Sequence, residues 1–285
     1  MYRSDNQIQG KSKLDPKELN HINPHEKLEK EIESFQGIWK GGYCEGNPLD
    51  PIGRSSYGRL GYLSVLYAIY IACIRPYITN QTKVIEIGPG RGCWTKCFVE
   101  AEEIWCLDAL PADYNNFWEY VGKRGNIKYI QVHDFSCSTL PDDYFDFFFT
   151  FGCFCHISKE GIDEYMKNLY PKLKTGAHGF VMIGDYEKYN KLVEKKGFFD
   201  IGNYVFSDQR LIDNMIFRKL WRVVQIIRPI ELKKIRDIDN LPHPGRWYDY
   251  RTEDFCEMLK LVGYGVLDKD CGVTHRDPVV HFIKR

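Results

Sequence analysis

From Val84 onward the chain alternates between two hydrophobic patterns. Short, nearly continuous apolar runs occur at 84–87, 104–107, 127–132, 144–151 and 179–183, and between them apolar residues recur every three or four positions. Runs of this length read as strands covered on both faces, and strands alternating with helices predict a parallel sheet. The predicted order is a strand at 84–87, a helix from Cys93 to Glu100, a strand at 104–108 and a helix around 113–123. Strands follow at 127–132 and 144–151, then a helix at about 159–172 and a turn at Lys174-Thr175-Gly176 that leads into a strand at 179–183. The rhythm lapses over 186–250. It resumes with a helix at 252–262, capped by Thr252 and ended by Gly263, and with two terminal strands at 265–268 and 279–283.

Upstream of this pattern the chain reads differently. Residues 1–33 are polar and charged, and Asp15-Pro16-Lys17-Glu18 has the form of a helix start. This arm is expected to be partly mobile, or to lie on the surface or on a second copy in a homodimer. Residues 36–58 are rich in Gly, Pro, Ser and aromatics; they read either as a lid or as a passive surface loop. Leu60 to Ile74 carries no charge. At about fifteen residues the run falls short of the roughly twenty needed to span a bilayer, so it reads as a core helix that Pro76 ends. The resulting division is an arm and lid-like loop at 1–58, a ligand-binding core at 59–185, an insertion at 186–250 and a C-terminal part of the core at 251–285.

Composition narrows the function classes. The 285 residues carry 39 basic and 39 acidic side chains, so there is no global field to attract nucleic acid or an anionic membrane. Ten cysteines are scattered without a Cys-x-x-Cys pair, and no signal peptide precedes them. Many sit in apolar runs where free cysteine acts as a small hydrophobe, so a reducing cytoplasmic setting is expected.

The candidate chemistry begins where the first strand stops. Val84-Ile85-Glu86-Ile87 runs into Gly88-Pro89-Gly90-Arg91-Gly92. Glycines permit a tight turn and close approach of a ligand to the main chain, and this position is where doubly wound sheets bind nucleotide-like ligands. A dinucleotide oxidoreductase would space its glycines Gly-x-Gly-x-x-Gly, but residue 93 here is Cys. Glu-x-Gly-x-Gly-x-Gly after a first strand instead resembles the class I S-adenosylmethionine-dependent methyltransferases. The resemblance covers 84–185 closely and 252–285 loosely. It implies a Rossmann-like, seven-stranded, mostly parallel α/β sheet with helices on both faces, the last strand running antiparallel.

The resemblance also implies roles for residues. Gly88 and Gly90 offer bare backbone to the donor, while Gly92 permits close helix packing. Glu86 orients the loop or the methionine amine. Asp108, twenty positions after Gly88, takes the ribose hydroxyls, the offset also expected of a ribose-binding acid in dinucleotide folds. Ala109 and Leu110 flank adenine, Asp134 meets the adenine amine and Phe135 packs on the base. Phe151 and Gly152 present carbonyls to the methionine amine, and Trp94 covers the tail or simply packs.

An alcohol acceptor needs a base. His156, after the fourth strand, is the first candidate and Asp185, after the fifth, the second; His243, His275 and His281 are weaker. No metal is expected, because Gly152 and Cys153 occupy the place of the usual carboxylate. The run from Arg218 to Arg236 holds seven basic residues among apolar ones. It reads either as a solvated helix face or as a site for an anionic acceptor such as a phosphorylated or nucleotide-linked sugar. Tyr57, Tyr186, His243, Arg246 and Trp247 are the candidate acceptor contacts. The Asn/Asp-Pro-Pro-aromatic motif of nucleic-acid methyltransferases is missing after the fourth strand. Ser55-Ser56-Tyr57-Gly58 and Cys155-His156-Ile157-Ser158 resemble bacterial methyltransferases of small sugars and secondary metabolites. The expected activity is methyl transfer from S-adenosylmethionine to a small polar acceptor, at a hydroxyl. The alternatives are N-methylation of a small molecule and a non-catalytic scaffold that binds the donor.

Overall fold

A computed structural model describes residues 46–51, 64–196, 247–274 and 276–285; the side chains of 192–196 are not described. The arm, the lid-like loop apart from 46–51, Tyr57, most of the insertion, His243, Arg246 and His275 lie outside the described residues. So does the basic run at 218–236.

Seven strands form one sheet: β1 (Lys83–Ile87), β2 (Glu103–Asp108), β3 (Ile127–Gln131), β4 (Phe145–Thr150), β5 (Leu173–Met182), β6 (Tyr264–Asp268) and β7 (Val279–Lys284). Their spatial order is β3-β2-β1-β4-β5-β7-β6. β7 runs antiparallel to both its neighbours, and all other pairs are parallel. Strand order reverses between β1 and β4. The carboxyl ends of those two strands therefore flank the crevice where such sheets take ligands.

Helices cover both faces because each buried strand is apolar on both. Ile85, Ile87, Leu107 and Phe148 pack with α3 (Lys159–Leu169) and α5 (Thr252–Val262) through Tyr165, Met166, Leu169, Phe255 and Leu259. Val84, Ile104, Cys106, Phe147 and Phe149 pack on the other face with α1 (Val65–Ile69) and α2 (Phe117–Val121). α1 continues as a π turn (Tyr70–Ile74) and then a 3₁₀ turn (Arg75–Tyr77) that contains Pro76. Pro76 ends the run because it has no amide hydrogen to give to a helical ladder. α4 (Tyr186–Lys196) opens the insertion.

Four expectations need correction. The helix foreseen at 93–100 is only a 3₁₀ turn at Thr95–Phe98. Cys, Trp, Thr, Phe and Val are all modest helix formers, and this stretch is fixed by burial instead. The helix around 113–123 shortens to Phe117–Val121, because Asn116 adopts a left-handed conformation before it. The turn at 174–176 is a bulge within β5: Phe145 pairs with Leu173, while Phe147 already pairs with His178. At Thr252 the capping is inverted. Thr252 is the first helical residue, and its amide and hydroxyl both donate to Asp185 Oδ2. Cys93 is disulfide-bonded, which no spacing pattern signalled; the eight other described cysteines are free thiols.

Candidate functional site

The glycine loop begins as an extension of the sheet. The Gly88 amide donates to the Leu107 carbonyl at 2.8 Å, continuing the pairing with β2, and the Gly92 amide closes a turn on Pro89 O at 2.8 Å. Gly88, Gly90 and Gly92 have φ of 71°, 53° and 93°, in the region that side chains disfavour. The reasons for two of these glycines are visible in their surroundings. A β-carbon at Gly88 would lie 2.4 Å from Cys153 Cβ and Sγ; one at Gly92 would lie 2.2 Å from Val121 Cγ2 and 3.0 Å from Phe117. Gly88 thus lets the turn after β4 close against the β1 loop, and Gly92 seats the loop on α2.

Glu86 is 2% exposed and points into the α1 side of the core. Its Oε2 accepts from Thr95 Oγ1 at 2.6 Å and from Cys106 Sγ at 3.6 Å. This carboxylate braces the segment beyond the loop from below. Burial, with Glu86 beside it, pushes the Cys106 thiol well above its ordinary range, so this cysteine stays a neutral donor.

Asp108 closes β2 and reaches back to the loop. Its Oδ2 accepts from the Gly90 amide at 3.1 Å and from Asn115 Nδ2 at 3.4 Å, and its Oδ1 accepts from the Leu110 amide at 2.9 Å. Burial raises its carboxyl from 3.8 to about 6, against the backbone amides that favour the ionised form. Asn115 and the Tyr129 hydroxyl hold the loop after β2: Tyr129 donates to Leu110 O at 2.7 Å, and Asn115 reaches the same hydroxyl. Sequence reading missed both residues, since neither belongs to a motif. Ala109 is half-buried and Leu110 buried beside Asp108.

Other assignments shift. Asp134 Oδ1 is engaged by the amide and hydroxyl of Ser136 in a tight turn. Phe135 does not face the crevice. It is fully buried, edge-on to Tyr165 with ring centres 4.8 Å apart, and its ring lies where a Gly161 β-carbon would go. Phe151 stays at the crevice, half-buried, with its ring 4.9 Å from that of Trp94. Gly152 turns the chain at φ 71° so that Cys153 meets Gly88.

His156 lies half-buried in a 3₁₀ turn (Phe154–His156) just past β4, on the same edge. Asp185 is a different kind of residue from the base expected of it. Only 5% exposed, it accepts from the Lys188 amide at the start of α4 and from the amide and hydroxyl of Thr252 at the start of α5. Burial pushes its carboxyl up, but these hydrogen bonds together hold it below the ordinary range. It joins two helix N-termini, which favour a negative charge. Asp185→Ala should therefore lower folding stability by about 2–4 kcal/mol, the cost of unpairing buried donors at two caps. A urea titration checks this; a normal midpoint with lost turnover would restore the catalytic assignment.

The chain returns from the insertion across this edge. The Tyr248 amide donates to Cys155 O at 2.8 Å and the Tyr250 amide to Gly184 O at 2.7 Å, so residues 247–250 span the ends of β4 and β5. A side chain at Gly184 would strike Tyr248 O and Trp247. Trp247 Nε1 donates to Asp277 Oδ1 at 2.9 Å, and the Arg276 guanidinium lies over its ring. Tyr186 is buried, its hydroxyl donating to the Trp247 carbonyl. Trp247 and Tyr186 thus build the wall, with their polar groups already engaged. A groove of about 770 Å³ between α3 and α5, lined by Lys159, Asp163 and Met258 among others, contains none of the predicted site residues. Among the described residues no His, Cys, Asp and Glu group is arranged to hold a metal, and no helix is long and apolar enough to cross a membrane.

Residues 85–181, which hold the loop, Asp108 and the β4 turn, match a family described as a methyltransferase domain. No curated protein matches the chain. Among solved structures, the chain is similar to an S-adenosylmethionine-dependent methyltransferase from Listeria monocytogenes at 11% identity and a TM-score of 0.52, over 77% of this chain and 97% of that one. Another, from Mesorhizobium loti, is 13% identical with a TM-score of 0.50, over 78% and 98% of the two chains. At these identities the likeness is one of fold.

Proposed function

We infer that this chain is an S-adenosylmethionine-dependent methyltransferase. The observation that carries the reading is the pairing of Asp108 with the glycine loop at the strand-order switch, within the stretch that matches a methyltransferase domain. The donor's adenosine lies along the loop, with Asp108 on its ribose hydroxyls and Leu110 beside adenine. Its methionine tail runs toward Phe151 and Gly152 at the end of β4. Transfer is an in-line displacement at the methyl carbon: the acceptor atom forms the new bond to carbon as the sulfonium leaves as a thioether. Holding the two partners aligned supplies much of the rate, on the order of 7–11 kcal/mol in favourable intramolecular cases.

The acceptor is a small polar molecule, methylated at a hydroxyl, with a sugar or a phosphorylated or nucleotide-linked metabolite as the class that best fits the seven basic residues of 218–236. His156 is the base in this reading. The test pairs calorimetry, using S-adenosylhomocysteine and NAD, with transfer of a labelled methyl group to a panel of sugars, sugar phosphates and amines. Binding of NAD alone would end the reading, and label on amines alone would move the attacking atom to nitrogen. Good donor affinity with no label on any acceptor would favour a scaffold. With an accepted substrate in hand, His156→Gln should lower kcat by about 10²–10⁴ and leave donor affinity within twofold. An unchanged kcat would remove His156 from the chemistry.

A further inference from the structure

The carboxyl edge of the sheet carries an arginine that is held in place with most of its donors unspent. Arg276 precedes β7, whose first residue pairs with Met182 at the end of β5. The Ile183 amide donates to Pro278 O at 3.3 Å, which fixes this junction beside Asp185. The Arg276 side chain is 54% exposed, and an exposed arginine ordinarily keeps much of its rotamer freedom. Here two contacts restrain it. Its Nε donates to Asp277 Oδ2 at 2.5 Å, and its guanidinium lies 4.8 Å over the Trp247 ring. Asp277 is 2% exposed, and its other oxygen accepts from the Trp247 indole at 2.9 Å. One buried carboxylate therefore fixes both the cation and the ring beneath it. A guanidinium has five N–H groups, and the four on the Nη atoms have no hydrogen-bond partner among the described residues. Neighbouring cations are committed: Lys188 Nζ donates to Asp270, Thr274 O and Asp277 O, and Arg251 pairs with Glu187. The fork belongs to the same wall as His156, since Trp247 leads into Tyr248, whose amide is bonded to Cys155 O. Asp108 lies away from it, at the end of β2 beyond β4 and β1.

We propose that the Nη fork of Arg276, on its Trp247 platform, seats an oxyanion group of the methyl acceptor. The inference rests on the acceptor reading above and gives it a specificity-determining residue. A guanidinium fork matches paired oxygens bidentately, and phosphate and carboxylate both present such a pair. A fork already held by Asp277 and Trp247 loses less freedom on binding than a loose side chain would. Asp277 also offsets part of the charge, so the fork selects by hydrogen-bond geometry more than by net charge. A spherical anion such as chloride should be a poor substitute.

The probes are inorganic phosphate and acetate, with sodium chloride as the control for ionic strength. The readout is the Trp247 indole resonance in a chain labelled with nitrogen-15 tryptophan, identified by its absence in Trp247→Phe. Phosphate, acetate or both should shift it saturably, and chloride should not. Arg276→Met removes the fork and should weaken that binding about 10- to 100-fold, the range for hydrogen bonds to charged groups. Arg276→Lys keeps a cation beside Asp277 and guards against a fold disturbed by an unpaired carboxylate; lacking the fork, it should fall between the two. Saturation by phosphate alone assigns a phosphorylated acceptor, and by acetate alone a carboxylated one. In the labelled-methyl assay Arg276→Met should raise KM for an anionic acceptor by the same factor, with kcat within about threefold. No saturable shift, an equal shift from chloride, a variant Arg276→Met or Arg276→Lys that binds like wild type, or an unchanged KM overturns the proposal. Affinity for S-adenosylhomocysteine is measured separately and should be equal in all three chains. Its absence from the wild type would end the donor reading, while the oxyanion titration still decides whether the fork binds.

Discussion

Asp108→Asn should weaken S-adenosylhomocysteine binding by two to four orders of magnitude, measured by calorimetry at pH 8. The carboxylate is the natural acceptor for two ribose hydroxyls, and each hydrogen bond to a charged group is worth about 1.5–3 kcal/mol. The amide also places an NH₂ group against the Gly90 amide or the Leu110 amide, both donors that now reach Asp108 at 3.1 and 2.9 Å. The loop thus loses its tether along with the ligand contact. The wild type should show a matching pH dependence. Burial raises the Asp108 carboxyl to about 6, and the ionised form is the one that accepts from the ribose. Donor affinity should be level above pH 7 and fall up to tenfold per pH unit below 6. The effect on folding has the opposite sign. The folded chain holds this proton more tightly than the unfolded chain, so this group's contribution to stability declines as pH rises from 3.8 to about 6. A binding profile flat from pH 5 to 8 would remove Asp108 from the ligand contact.

Gly92→Val should destabilise the fold by about 3–5 kcal/mol, which a urea titration reads as a large fall in midpoint with little change in slope. Two costs combine. The residue sits at φ 93°, and a β-branched side chain in left-handed backbone costs about 1–2 kcal/mol or more. Its β-carbon would also lie 2.2 Å from Val121 Cγ2, and overpacking of a closed core costs about 1–3 kcal/mol. The damage is expected in the seat of the loop on α2, so donor affinity should fall with stability. Gly125→Ala is the control: nothing lies within 4 Å of its β-carbon, and the change should stay within about 0.5 kcal/mol. Equal midpoints for the two variants would show that α2 yields easily and that Gly92 is not a packing requirement.

Part of the site could be read from the chain because it depends on local rules. A strand that ends in closely spaced glycines has few alternatives, and an acid at the end of the next strand lands beside it because parallel neighbours share a direction. Gly88, Gly90 and Asp108 could therefore be placed without coordinates. Phe135 could not. One residue past a strand end, the side on which a ring falls depends on the turn, and the pocket under α3 at Gly161 takes it into the core. Asp185 looked like a base because it follows β5 at the carboxyl edge of the sheet. Its actual partners, Lys188 and Thr252, include one 67 residues away in the chain.

By itself the sequence determined the α/β class, the seven strands, the glycine turn after β1 and the acid that closes β2, because hydrophobic period and glycine spacing act over a few residues. Only the tertiary structure decided which polar atoms are already engaged: Glu86 by Thr95, Asp185 by two helix starts, Tyr186 by Trp247, and Trp94 Nε1 by nothing. A hydrogen bond needs two atoms about 3 Å apart, and that distance is set by how distant elements pack.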